Sequence, residues 1–145
     1  RRVAVALLAL CAALVAVLLV APPQGTGDRS AYWRVARAEI ASQPIQGTGA
    51  GKYHVYASEH PAGAGARDAH SLYLQVFAEL GAVGLVLVLA LVGLPLVAGL
   101  RANVAILGGF ATFALHAAVD WDWQMPAVTV AGLALGAALL RQSRR

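Results

Sequence analysis

The stretch AHSLYLQVFAELG, Ala69 to Gly81, leads directly into an apolar run from Leu80 to Leu100 that carries no charge. A run of that length, wound as a helix, crosses a hydrocarbon core of about 30 Å, so a water-facing segment here becomes a membrane span. Polar residues stand at its mouth, namely His70, Ser71, Tyr73 and Gln75, and one carboxylate, Glu79, lies further in. His70 is the best single candidate for chemistry.

Of 145 residues, 59% are hydrophobic and only 12% charged, and the mean hydropathy is +0.68. A solvated domain surface needs more polar residues than this. The apolar residues fall in blocks rather than alternating, which reads as an all-α polytopic membrane protein. The net charge of +4 does not imply nucleic acid, because the cations are sorted by membrane side: Arg1, Arg2, Arg101, Arg141, Arg144 and Arg145 all flank apolar runs. Excess arginine marks the cytoplasmic side, so both ends are expected in the cytoplasm of a multi-pass protein of the cytoplasmic membrane. Cys11 is the single cysteine, which excludes an intrachain disulfide and a cysteine metal cluster. It is read as a small packing residue. A start on Arg1-Arg2 rather than methionine points to a piece of a longer protein, one not expected to be active alone.

Four transmembrane helices are expected. The first occupies residues 1–21, where the apolar run from Val3 to Ala21 exceeds the roughly 7–15 residues of a secretory signal core. Residues 22–68 form a large extracytoplasmic loop with a short amphipathic helix at about 30–42, capped by Asp28 or Ser30. Its apolar stripe of Trp33, Ala36 and Ile40 would lie on the outer membrane surface. Pro44 closes that helix, and the residues from His54 to Asp68 are expected to be irregular. Residues 69–145 supply three further spans. The second runs from Ala69 to Leu100, capped by Asp68 and kinked at Pro95; the third runs from about Asn103 to Val119 and the fourth from about Met125 to Leu140. The turn Asp120-Trp121-Asp122-Trp123-Gln124 joins the last two outside, with tryptophans as interfacial anchors.

Gly47-Thr48-Gly49-Ala50-Gly51-Lys52 resembles a nucleotide-binding loop but fails its requirements. Gln46 stands where a glycine is needed, and Tyr53 where a serine or threonine is needed. What remains is a tight turn whose glycines permit close approach of backbone to another group, a ligand phosphate among the candidates. His54, His60, His70 and Asp68 match no zinc-ligand spacing, so no metal is expected, and His54 and His60 are read as solvated. His70, at a helix start near the membrane surface, can be held neutral and act as a base. Glu79 falls on nearly the opposite helical face and about 13.5 Å deeper, so it cannot orient His70 from within the helix. An intramembrane carboxylate needs a partner, here expected in the rest of the protein. Arg29, Arg34, Arg37, Lys52 and Arg67 place cations in the outer loop. Guanidinium groups beside a glycine turn and a histidine suit a lipid-linked phosphate or pyrophosphate, with a solvated or headgroup-binding face as the plainer reading of Arg34 and Arg37. His116 and Asp120, four apart, could pair.

Taken in order, Arg29-x-x-x-Trp33, then Pro44-x-x-Gly47-x-Gly49-x-Gly51-x-Tyr53, then His70-Ser71-x-Tyr73-Leu74-Gln75-x-x-x-Glu79-Leu80-Gly81-x-x-Gly84 resembles the O-antigen ligase and polymerase family of membrane glycosyltransferases. The resemblance covers roughly Asp28 to Gly84, and HAAVDWDWQMPA more loosely. It implies transfer or polymerisation of a glycan from an undecaprenyl-pyrophosphate carrier to an acceptor hydroxyl, glycan or lipid, outside the cytoplasmic membrane, with no cofactor. By the same resemblance His70 would be the base and Arg29 the pyrophosphate-binding arginine. Arg34, Arg37, Gly47, Gly49, Gly51, Tyr53 and Glu79 would line the substrate site. Ser71 departs from the family, where asparagine often follows the histidine.

A non-enzymatic membrane component such as a transporter subunit is the rival reading, with Glu79 and His116 lining a path. Transport needs polar groups along the bundle interior. Here they gather outside, apart from Glu79.

Overall fold

The structure, a computed structural model, describes Val5, Ala9, Ala16 and residues 28–61 and 65–143. The expected first span and Cys11 therefore lie outside the described residues, save for those three isolated positions. Everything described is helix or connection: α1 (Asp28–Ser42), α2 (Tyr53–Ser58), α3 (Leu72–Ala98), α4 (Val104–His116) and α5 (Pro126–Ser143), with single 3-10 turns at Gly99–Arg101 and Asp122–Gln124.

Helix α3 organises the rest. Of its most apolar window only 33% is buried, while Leu80, Val83, Val86, Leu87, Leu91 and Leu94 are turned outward. A soluble core helix does the opposite, so this surface suits an apolar solvent. Among the described residues α3 is the one helix both long and apolar enough to span a membrane. At 13 residues α4 covers only about 20 Å, too short to cross unaided.

Two apolar clusters hold the fold together. Val88, Val92 and Leu96 of α3 meet Leu107, Phe110 and Ala114 of α4 and Leu139 of α5. Glycine makes the α4–α5 approach close, because a Cβ at Gly132 would sit 2.7 Å from the Phe113 ring. The second cluster joins α1 through Val35 and Ala36, α2 through Tyr53 and Ala57, and the start of α3 through Leu74.

The amphipathic helix is present at Asp28–Ser42, but its stripe does not face outward. Ala36 is fully buried, and Trp33 and Ile40 pack against the second cluster. The loop beyond also carries more order than its glycine, alanine and proline content foretold, because Tyr53 and Ala57 find apolar cover and a short helix forms at Tyr53–Ser58.

Two features of α3 differ from expectation. Ser71, not Asp68, is its N-cap, with Oγ accepting from the Leu74 N–H at 3.4 Å. The helix is interrupted at Gly81 (φ 64°, ψ −163°), a conformation open almost only to glycine. Pro95 lies inside the helix with helical backbone around it. The break, not the proline, is the irregular point.

Candidate functional site

At Gly81 the helical ladder is cut, and the glycine-rich loop is stitched into the gap. The Thr48 and Gly49 N–H groups donate to the carbonyls of Ala78 and Glu79 at 3.1 and 2.8 Å, and the Ala82 N–H donates to the Pro44 carbonyl at 2.9 Å. Backbone groups freed by the break are thereby satisfied inside the protein, the condition for tolerating non-helical chain at membrane depth. The approach leaves no room for side chains. A Cβ at Gly47 would lie 2.3 Å from the Glu79 carbonyl oxygen, and one at Gly81 would lie 2.1 Å from that of Ile45.

Glu79 finds its partners in this same loop, correcting the expectation that they lie elsewhere in the protein. Its carboxylate accepts from the Gly51 N–H at 2.8 Å, the Tyr53 N–H at 3.1 Å and Gln75 Nε2 at 3.4 Å. A second acid stands on the far side of the loop. Glu39 is completely buried, and its Oε1 accepts from the Thr48 hydroxyl at 2.5 Å. Burial pushes the Glu39 carboxyl above its ordinary range; the Thr48 hydroxyl opposes that rise, and the nearby Glu79 charge adds to it.

Tyr53 ties the loop to α1. Its hydroxyl donates to the Tyr32 carbonyl at 3.0 Å, and burial raises the phenol far above its usual value. The Tyr32 ring in turn lies 5.3 Å from the imidazole of His70.

His70 sits just before α3 rather than in its first turn. Its backbone is left-handed (φ 51°), a conformation that costs a residue with a Cβ about 1–2 kcal/mol. Neighbouring bonds hold it there. The Ala69 N–H donates to Gln75 Oε1 at 3.1 Å, the His70 N–H to Asp68 Oδ1 at 3.0 Å, and the Leu72 N–H to the Ala117 carbonyl at 2.8 Å. The ring nitrogen Nδ1 lies 2.7 Å from the same Asp68 oxygen.

Arg29, on an exposed part of α1, pairs with Asp120 at 2.9 Å. Asp120 is held below the usual carboxylate range first by the Trp121 N–H and then by the charge of Arg29, against an opposing effect of burial. Arg29 thus meets a carboxylate just beyond α4, and the mouth of α3 that carries His70 is tied to the same end of α4 by the Leu72 N–H to Ala117 carbonyl bond. The expected His116–Asp120 pair does not form: His116 Nδ1 instead meets Asp122 at 2.5 Å, because the chain turns after Ala117.

The other proposed contacts are dispersed. Arg34 donates to Ser30 Oγ at 3.3 Å, and burial lowers the pKa of Arg37. His54 is exposed, whereas His60 stacks on Tyr56 with ring centroids 4.4 Å apart. Asp68, Tyr32, Asp120 and Glu39 contact the predicted residues His70, Arg29 or the glycine loop, and the sequence passed them over or gave them other work. The Asp68-x-His70 spacing was a usable signal, since an aspartate readily accepts from the N–H two residues on.

Among the described residues, an all-helical fold with an outward-facing apolar helix and a loop sewn into it is the architecture of a membrane-associated protein. Its kinship follows from comparison. The O-antigen ligase family matches residues 1–89, more than half of the chain, and the protein belongs to that family. No curated protein and no solved structure matches it. The matched stretch contains Arg29, the glycine loop, His70, Glu79 and Gly81, and stops short of His116 and Asp120.

Proposed function

We propose that the complete protein transfers or polymerises a glycan from an undecaprenyl-pyrophosphate carrier onto an acceptor hydroxyl at the outer face of the cytoplasmic membrane. The observations that support this reading are the Arg29–Asp120 pair just beyond α4 and His70 at the mouth of α3, two places joined by the Leu72 N–H to Ala117 carbonyl bond, within a chain of the O-antigen ligase family. A displacement at the anomeric carbon needs a base for the incoming hydroxyl and positive charge for the departing diphosphate. His70 takes the acceptor proton as the new C–O bond forms. The bond from the anomeric carbon to the phosphate oxygen breaks, and its electron pair leaves with the polyprenyl diphosphate. Arg29, exposed and held by Asp120, exchanges that carboxylate for the diphosphate. Neither step calls for a metal. Arg34 and Arg37 add positive field along α1, while Gly49, Gly51 and Tyr53 support the site from behind through their bonds to Glu79, with Gly47 packed on the Glu79 backbone.

This reading keeps the chain multi-pass, with spans at residues 1–21 and three in 69–145, both ends cytoplasmic and residues 22–68 outside. The transporter alternative loses its main residue, because Glu79 is occupied by loop N–H groups instead of lining a path. The test is glycan transfer by His70→Ala and Arg29→Ala in the complete protein. Each is expected to lose at least about 100-fold in turnover while still reaching the membrane. Full transfer by both variants overturns the proposal.

A further inference from the structure

We infer that Asp68 is the positioning residue for His70, holding the imidazole with its proton on Nδ1 and leaving Nε2 as the basic nitrogen. The inference rests on the reading of His70 as the base and adds the group that sets its tautomer. One oxygen of Asp68, Oδ1, accepts from the His70 N–H at 3.0 Å and lies 2.7 Å from His70 Nδ1, which is hydrogen-bonded to the Asp68 carbonyl at 3.5 Å. A carboxylate and a carbonyl only accept, so the nitrogen facing them carries the proton. The other ring nitrogen is then the one with a lone pair to offer.

Other acids nearby are committed elsewhere. Asp120 gives Oδ2 to Arg29 and Oδ1 to the Trp121 N–H, and Asp122 is bound to His116. Asp68 itself is buried, its side chain 12% exposed against 24% for His70, so the pair is shielded from competing water. The Tyr32 ring limits movement of the imidazole on one side. The left-handed backbone of His70 belongs to the same device: at φ 51° the residue is brought back over Asp68, so that backbone N–H and ring nitrogen reach a single oxygen. A carboxylate behind an imidazole sets its tautomer and stabilises the imidazolium that forms when the base takes a proton, a role familiar from serine hydrolases.

Two substitutions separate geometry from charge. Asp68→Ala removes the bond to the His70 N–H and the carboxylate beside Nδ1, and keeps the backbone carbonyl 3.5 Å from Nδ1. Asp68→Asn keeps an acceptor oxygen, which the His70 N–H holds in place, and removes only the charge. In the complete protein, Asp68→Ala is expected to lower kcat about 100-fold or more with KM changed less than about threefold, and Asp68→Asn to lower kcat about tenfold. Nitrogen NMR of histidine-labelled protein in micelles reads the tautomer without requiring activity. His70 is expected to carry its proton on Nδ1 in wild type and Asp68→Asn, and to hold a smaller share of it there in Asp68→Ala, where only the long bond to the Asp68 backbone carbonyl remains. If His70→Ala is inactive while both Asp68 variants keep wild-type kcat, the positioning role is wrong and the proposed reaction stands. If Asp68→Ala does not fold, Asp68→Asn decides alone: wild-type kcat overturns the inference. A wild-type His70 protonated on Nε2 overturns it whatever the rates.

Discussion

Gly81→Ala is the sharpest test of the broken helix, because the two possible structures predict opposite signs. In a continuous helix the change replaces a poor helix former by the best one and stabilises the protein by up to about 1 kcal/mol. In the interrupted helix the new methyl enters a backbone region that costs a non-glycine residue about 1–3 kcal/mol. It also meets the Ile45 carbonyl oxygen at 2.1 Å and carbon at 2.4 Å, contacts that only a backbone shift relieves. Moving the loop away forfeits the Ala82 to Pro44, Thr48 to Ala78 and Gly49 to Glu79 bonds, each worth about 1 kcal/mol net. A loss of about 4 kcal/mol follows, a large share of the about 5–15 kcal/mol that holds a typical domain folded. The measurement is reversible unfolding of the complete protein in mixed micelles, followed by tryptophan fluorescence. Gly93→Ala is the control, since a Cβ there meets nothing within 4 Å. It is expected to be neutral or slightly stabilising. Gly81→Ala within about 0.5 kcal/mol of Gly93→Ala would refute the break and the loop's place in it.

The carboxylates that flank the loop give two further tests. Glu79→Gln puts an amide where two loop N–H groups need acceptors, and is expected to cost about 1–3 kcal/mol and to speed proteolysis between Pro44 and Tyr53; unchanged proteolysis counts against the clamp. Glu39 has its folded pKa raised above 4.5, so its contribution to stability is fully present below that pH and is lost as pH rises through the raised value. Unfolding midpoints are expected to rise as pH is lowered from neutral towards 5, and Glu39→Gln to flatten that slope; an equal slope in both proteins shows that another group is responsible. Asp120 works in the opposite sense, its stabilisation being present above 3.8 and lost only as pH falls through its lowered value, so it does not mask the effect near neutrality.

Much of this was written into the chain at short range. The uncharged run from Leu80 to Leu100 announced α3, Asn103 marked the start of α4 as its cap, and Trp33, Ala36 and Ile40 announced an amphipathic α1. What α1 packs against was not legible, because an apolar stripe looks the same whether it meets lipid or Tyr53 and Leu74. The spacing of Gly47, Gly49 and Gly51 signalled a close backbone approach, but nothing local named Gly81 as its partner, 34 residues beyond Gly47. Gly81 read instead as one more small residue in an apolar helix. Arg29 meeting Asp120 is likewise a product of topology: α3 and α4 run out and back, returning the end of α4 to the mouth of α3.

The loop and the histidine lie apart in sequence, yet bonds join them. From Glu79 one route passes through Gln75, whose Nε2 donates to the carboxylate and whose Oε1 accepts from the Ala69 N–H beside His70. Another passes through Tyr53, whose N–H meets Glu79 and whose hydroxyl anchors Tyr32 under the imidazole. An imidazole held in a left-handed turn at a helix mouth has little local preference for that position, so its placement must come from such connections. The carboxylate stands too deep in α3 to touch His70, and the glycine loop gives it a second path there. That arrangement accounts for why three glycines, a tyrosine and a glutamate stand in one chain with a histidine: without the close approach at Gly47 and Gly81, Glu79 would not reach the Tyr53 N–H, and Tyr32 would lose its anchor.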